Sequence, residues 1–295
     1  MPSNNYPPAV IPNKAVVTAA SPTEYHLPLQ TLVDSEGVAK TALAIILDDL
    51  FASGVESAAV IIHPGTRQAF EQAAGEHAGR LTLIEQGNPR GYGHAVWSAH
   101  EFTGDDPFVL LVGDHLYLSY EQASCVRQLL EVAADHDGCI SAVNPTHESQ
   151  LRYYGTIAAT RVPTSPSLFL VHDVVEKPTP TLAEQELIVP GLRAGNYLCL
   201  FGMHSLTAGV MEHLEGELAR LGAGEPLGLT PTLAHVARSE KYLAVELAGQ
   251  RFNIGERYGL LRAQLSLALA GPHRDEVLTD LLEITAHSRP GCQGS

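Results

Sequence analysis

Gln86, Gly91, Gly93 and Asp114 are the residues whose types and spacing first suggest chemistry. Gln86 stands ahead of a Gly-x-Gly in Gln86-Gly87-Asn88-Pro89-Arg90-Gly91-Tyr92-Gly93-His94-Ala95-Val96, between an apolar run at 81–85 and a helical stretch at 95–101. A glycine loop between strand and helix is where an α/β protein brings backbone close to a nucleotide and aims helix N–H groups at an anion. The spacing is neither the dinucleotide fingerprint nor a P-loop, which requires Gly-Lys-Ser/Thr. A glutamine amide carries a donor and an acceptor, so Gln86 can pair with the edge of a uracil-like base while Gly91 lets the ring lie against backbone. The plainer alternative is a strand-to-helix turn that simply needs glycines.

Asp114 follows Gly113 at the carboxyl end of the apolar run 107–112, where open α/β sheets bind their ligands. A carboxylate there suits Mg²⁺ on phosphates, or else it caps a turn. Glu176-Lys177-Pro178 ends another apolar-patterned run at 168–175. Neighbouring residues of a strand point to opposite faces, so this glutamate and lysine are not expected to pair with each other. In a site the glutamate would accept sugar hydroxyls and the lysine would meet a phosphate; otherwise the two are a solvated strand end. Tyr154-Gly155 and Gly195-Asn196-Tyr197 each put a glycine at a strand edge, as a bulge or as the wall of a site.

The elements that must hold these residues alternate. Apolar runs at 14–20, 57–62, 81–85 and 107–112 are interleaved with helical periodicity at 40–51, 66–76, 95–101 and 121–135. Strands apolar on both faces, alternating with helices, indicate an α/β fold with a Rossmann-like, doubly wound, mostly parallel sheet. After a strand at 139–143, β-rich pieces at 155–162, 168–175 and 194–202 are separated by proline-bearing loops. They read as a smaller mixed or antiparallel lobe. Helices are expected at 205–221, 231–238, 258–269 and 276–286, with a last strand at 241–246. One domain therefore spans 13–287, with halves at 13–143 and 144–257 and terminal helices at 258–287. A loose arm at 1–12 and a tail at 288–295 flank it.

Composition narrows the partners. The 295 residues carry 18 basic against 33 acidic side chains, a net charge of −15, with no block of Lys or Arg. Nucleic acid and anionic membrane are thereby disfavoured, and any phosphorylated ligand needs local cations, helix ends or a metal. The four cysteines lack Cys-x-x-Cys spacing, and Cys125, Cys139 and Cys199 sit in apolar stretches as buried thiols of a reducing compartment. With no signal-peptide pattern and no bilayer-length apolar run, a soluble cytoplasmic protein is expected.

Taken together and in this order, Gln86…Gly91-Tyr92-Gly93-His94-Ala95-Val96, Gly113-Asp114, Tyr154-Gly155, Glu176-Lys177-Pro178 and Gly195-Asn196-Tyr197 resemble the sugar-1-phosphate nucleotidyltransferases. The branch most like this chain contains the bacterial UTP–glucose-1-phosphate uridylyltransferases, and the likeness runs from about Val16 to Leu269. The resemblance implies a nucleotide site at Ala19, Ala20, Gln86, Gly91 and Gly93. It implies a sugar site in the β-rich half at Tyr154, Gly155, Glu176 and Asn196. Asp114 and Lys177 would be catalytic, with Asp114 and Asn253 holding Mg²⁺. The partners implied are UTP or a UDP-sugar and a hexose 1-phosphate, with a homo-oligomer in keeping with the family. The reaction implied is in-line attack of the sugar phosphate on the α-phosphorus of UTP, releasing pyrophosphate, and it relies on positioning and charge neutralisation.

Three departures bear on that chemistry. Ser21-Pro22-Thr23-Glu24-Tyr25 stands where the family has Gly-x-Gly-Thr-Arg; Leu29 follows the proline where a lysine is expected; and Asn253 replaces the second metal aspartate. Proline removes an N–H from a loop meant to cradle phosphates. Loss of a transition-state arginine alone can reduce the rate ~10³-fold or more. Two functions follow: an enzyme of this type that holds its triphosphate in another way, and a catalytically impaired relative that binds a nucleotide sugar or sugar phosphate as a sensor or regulatory partner. Residues 21–30 and Asn253 discriminate between them.

Overall fold

The computed structural model describes residues 10–287, so most of the expected arm, the whole tail and Cys292 lie outside the described residues. The first half runs β1 (Lys14–Ala19), β2 (Thr31–Val33), β3 (Ala39–Thr41), α1 (Ala42–Ala52), β4 (Ser57–Ile62), α2 (Arg67–Ala74), β5 (Leu81–Glu85), α3 (Tyr92–Trp97), α4 (His100–Thr103) and β6 (Phe108–Val112). Next come β7 (His115–Ser119), α5 (Cys125–Asp135), β8 (Cys139–His147), β9 (Gly155–Arg161), β10 (Leu168–Glu176), α6 (Pro180–Glu186) and β11 (Asn196–Leu206). The chain closes with α7 (Ala208–Arg220), α8 (Leu229–Ser239), β12 (Tyr242–Glu246), β13 (Gly249–Asn253), α9 (Gly259–Ala270) and α10 (Arg274–His287).

Nine strands form one mixed sheet in the order β5-β4-β1-β6-β11-β8-β12-β10-β9. β5, β4, β1 and β6 are mutually parallel, as the double-sided apolar runs required. β11 then enters antiparallel between β6 and β8. The β-rich half continues the same sheet: β10 and β9 extend its far edge, and β9 also meets β11 where Cys199 faces Thr156.

Alternation along the strands explains why both faces are apolar. Ala15, Val17 and Ala19 of β1 pack into one core with Leu43 and Leu47 of α1, Phe70 of α2, Leu129 of α5 and Leu267 of α9. Val16 and Ala20 enter the opposite core with Val96 of α3, Leu214 of α7 and Leu233 of α8. Helices cover both faces, and the carboxyl ends of β1, β5 and β6 are left as the open edge of the sandwich.

Several expectations need correction. Ser205 and Leu206 belong to β11, not to a helix, because they pair with Val109 and Phe108 of β6. The helix expected at 95–101 divides into α3 and α4. β7 and β13, unanticipated, form a separate antiparallel pair in which Asn253 faces His115. Cys125, Cys139 and Cys199 are free and buried, as expected.

Candidate functional site

The open edge holds a cavity of about 400 Å³, walled by Thr18, Ala19 and Ala20 from the end of β1, Gln86 after β5, Gly91 and Tyr92 at the start of α3, and Asp114 after β6. Ligands of open α/β sheets lie in this position. Five sequence-predicted residues, Ala19, Ala20, Gln86, Gly91 and Asp114, are thus brought together.

Gln86 is almost fully buried, and its backbone N–H donates to Ile62 O at 3.0 Å. Its side-chain Nε2 lies 2.7 Å from His94 Nδ1. An amide nitrogen can only donate, so Nδ1 accepts and the neutral ring carries its proton on Nε2. Burial first, and then the Arg90 charge, hold His94 below the usual histidine range, which keeps that acceptor available at neutral pH.

Gly91 and Gly93 do have a structural duty, as the plainer reading of the turn expected, but its partner was not legible in the sequence. Gly91 has φ +92°, and a Cβ there would lie 2.6 Å from Leu227 O; one at Gly93 would lie 2.8 Å from the Gly228 backbone. Gly93 N–H donates to Leu227 O at 2.9 Å, and Leu227 N–H to Arg90 O at 2.6 Å. The two glycines let the loop dock backbone to backbone against 227–228. Gly91 also walls the cavity, whereas Gly93 is absent from its lining. Residues 227–228 carried no local signal beyond a glycine ahead of α8.

Asp114 Oδ1 lies 2.7 Å from His115 Nδ1, and the Asp114 carbonyl accepts Ile254 N–H at 3.0 Å. The β7–β13 pairing therefore brings Asn253 beside Asp114 across 139 residues of sequence (253 − 114). Asn253 Oδ1 accepts Gly255 N–H at 2.8 Å. One carboxylate with a neighbouring amide oxygen fits the hard-oxygen donor set that Mg²⁺ takes when ligand phosphates and water complete its shell. A separate trio, Asp48, Glu76 and His77, also groups three potential ligand atoms. There the Asp48 carboxylate is already occupied by Lys40 at 2.8 Å and His77 at 2.6 Å, and none of the three lines the cavity.

On the other half of the chain, Glu176 Oε2 accepts the Thr230 hydroxyl at 2.7 Å. Gly155 faces Glu176 in the β9–β10 register, and a Cβ at 155 would press on Leu200 at 2.9 Å and on Glu176 Oε2 at 3.3 Å. Lys177 Nζ lies 3.6 Å from Glu176 Oε1, contrary to the strand expectation that the two face apart. The reason is local: Lys177 has φ +47°, which ends the strand alternation and swings its side chain to the glutamate's side. Both side chains are about half exposed, so the pair contributes little stability.

Tyr154 donates to Glu256 at 3.2 Å beneath the Arg251 guanidinium. Asn196 faces His147 at the start of β11 and donates to Arg193 O at 3.4 Å. Tyr154, Gly155, Glu176, Lys177 and Asn196 are absent from the cavity lining. Tyr92 joins the two regions. Its ring walls the cavity, and its phenol is pushed upward by burial first and then by the Asp114 and Glu176 carboxylates.

The Tyr92 hydroxyl is buried with no partner at full hydrogen-bond geometry among the described residues; its neighbour Thr18, which opposes the upward shift, donates to Leu111 O at 3.4 Å. A buried unsatisfied hydroxyl costs about 1–3 kcal/mol, and removing it can be neutral or stabilising. Tyr92→Phe is therefore expected to leave the urea unfolding free energy unchanged or to raise it by about 1 kcal/mol. A loss larger than 1 kcal/mol would expose a hydrogen bond that the geometry lacks.

Ser21, Pro22, Glu24 and Pro28 line a further part of the wall, and Pro89, Ala95 and Val112 complete it. Among the described residues, the acidic members of the lining are Glu24 and Asp114, and none of the lining is Lys or Arg.

Comparison with known proteins bears on the family and the fold. The sequence pattern of a family described as nucleotidyl transferase matches residues 35–268. A UTP–glucose-1-phosphate uridylyltransferase of Streptococcus pneumoniae serotype 4 is 30% identical over 208 residues, spanning 70% of this chain and 65% of the relative. The YngB uridylyltransferase of Bacillus subtilis is 28% identical over 296 residues, 92% of this chain and 94% of the relative. Among solved structures, a UDP-glucose pyrophosphorylase complexed with UDP-glucose superposes with a TM-score of 0.70 at 18% identity, covering 87% of this chain and 98% of that one. One from Acinetobacter baumanii gives 0.71 at 21% identity, over 93% and 100%. These last two likenesses speak for the shared fold.

Proposed function

This chain belongs to the nucleotidyl transferase family, and within it we propose that the cavity and the neighbouring Glu176 region together hold a uridine sugar nucleotide of the UDP-glucose kind, with the uridine in the cavity. The observation that carries this reading is that Gln86, Gly91, Ala19, Ala20 and Asp114 wall one cavity at the ends of the parallel strands. Gln86, pinned by His94, presents its amide to the uracil edge, and Gly91 leaves room for the ring. Glu176 and Asn196, with Gly155 and Tyr154, take the hexose hydroxyls, and Lys177 takes the sugar phosphate. Mg²⁺, when bound, neutralises phosphate charge; Asp114 and Asn253 are the residues that would hold it. The unpaired thiols and acidic surface suit a cytoplasmic site of action.

Two activities use such a site. The relatives' names point to synthesis of a UDP-hexose from UTP and hexose 1-phosphate, for which Asp114 and Lys177 are retained. Holding the nucleotide sugar without turnover, as a sensor or regulatory partner, is favoured by the lack of a lysine or arginine in the cavity wall among the described residues. The geometry supports holding better than synthesis, because a triphosphate needs cationic partners that the wall lacks.

Pyrophosphate release from UTP and glucose 1-phosphate with Mg²⁺ separates them. Release well above a no-protein control supports synthesis; no release, with UDP-glucose still raising the melting temperature, supports holding. Glu176→Ala is expected to weaken UDP-glucose binding more than tenfold by calorimetry, through loss of charge-assisted hydrogen bonds to the sugar. An unchanged affinity would remove Glu176 from the site.

A further inference from the structure

We propose that the turn 21–27 is a selectivity element that closes the cavity to terminal phosphates, so that the site accepts a diphosphate sugar and rejects UTP. This rests on the uridine reading of the cavity given above.

The first argument is the fate of the turn's own N–H groups. A loop that cradles phosphates must leave its amides pointing at the ligand. Here Pro22 has none to offer. Glu24 N–H is given to Ser21 Oγ at 3.2 Å, Tyr25 N–H to Ser21 O at 3.1 Å and Leu27 N–H to Glu24 O at 2.9 Å. Those three N–H groups are turned inward, and an anion arriving at them would have to break those bonds first.

Anchoring is the second. The Tyr25 ring stacks on His63 with centroids 4.7 Å apart, and Pro28, just after the turn, is buried. Glu24 Oε1 lies 3.2 Å from where a Cβ of Gly255 would stand, the same distance as Asn253 Oδ1. The turn thus leans on the 253–255 segment beside Asp114.

Charge acts in the same direction. Glu24 joins Asp114 in the wall, with no lysine or arginine lining it among the described residues. UTP carries about two more negative charges than a diphosphate sugar. Because Glu24 is exposed, solvent screens it, and its share of the discrimination is the smaller one.

Calorimetric titration of the full chain in Mg²⁺ with UDP-glucose, UMP and UTP tests the proposal. UDP-glucose is expected to bind on the order of tenfold or more tighter than UTP, with UMP also tighter than UTP. Glu24→Gln is expected to narrow the ratio of UTP to UDP-glucose dissociation constants about threefold. UTP binding as tightly as UDP-glucose would overturn the selectivity proposal while leaving the uridine site standing. A Glu24→Gln ratio that stays the same would also count against it, by removing Glu24 from the discrimination. If UDP-glucose and UMP both fail to bind, the uridine reading falls and the proposal falls with it.

Discussion

Gly91→Ala is expected to lower the unfolding free energy by about 3 kcal/mol and to weaken uridine-nucleotide binding at least about tenfold. Two effects add. The backbone at 91 has φ +92°, a region that an L side chain occupies at a cost of about 1–3 kcal/mol. The new methyl would also stand 2.6 Å from Leu227 O, which is rigid backbone and cannot rotate away. Relief requires the loop and residue 227 to separate, and that stretches the Gly93–Leu227 and Leu227–Arg90 hydrogen bonds. The same movement shifts the cavity wall next to Gln86, so stability and affinity should fall together. Gly87→Ala is the internal control: nothing lies within 4 Å of its added methyl, and surface changes of that kind stay within about 0.5 kcal/mol. Urea denaturation of both variants checks this. If Gly91→Ala costs less than about 1 kcal/mol, the 227–228 segment is not held against the loop as described.

Acid is expected to remove about 3 kcal/mol of stability between pH 6.5 and pH 4 through His204 alone. Its ring is buried in β11, where Nδ1 lies 2.5 Å from Ser141 Oγ, which in turn is 2.6 Å from the Tyr242 hydroxyl. Burial pulls its pKa down to about 4 from an ordinary 6.5. Below pH 6.5 the unfolded chain takes up a proton that the folded chain refuses, so stability rises with pH across this window and is lost as pH falls through it. Asp49, raised by burial, acts in the opposite sense, since its folded form holds a proton to higher pH. The comparison is therefore between slopes: unfolding free energy against pH for the native chain and for His204→Gln. The variant should lose most of the decline between pH 6.5 and 4, whatever its absolute stability. Parallel curves would show that His204 is protonated in the fold.

The parallel half of the sheet was legible because burial on both faces leaves an unbroken apolar record. In Ala15-Val16-Val17 the odd and even residues enter different cores, and every position must be apolar. β7 and β13 left no such record. Their residues, such as His115 and Gln250, are partly exposed, and their pairing joins segments far apart in sequence. Gln86 and Asp114 could be found because each follows a recognisable strand. Leu227 and Thr230 could not, since their contacts with Gly91 and Glu176 are made only by the fold; Glu24 was legible as part of the altered loop, but its approach to the 253–255 segment was not. Lys177 shows the limit in one residue. Strand geometry predicts that it faces away from Glu176, and a left-handed backbone at a non-glycine position reverses that.

The insertion of β11 between β6 and β8 has a mechanical consequence. Its ladder, with one irregularity between Leu200 and His204, runs from the strand that ends near Asp114 to the strands of the Glu176 half. Two halves welded through a shared ladder cannot swing as independent jaws, because a hinge would have to shear those bonds. Any clamping on a ligand must therefore be done by the surface segments alone: the 21–27 turn, the 87–91 loop and the stretch leading into α8.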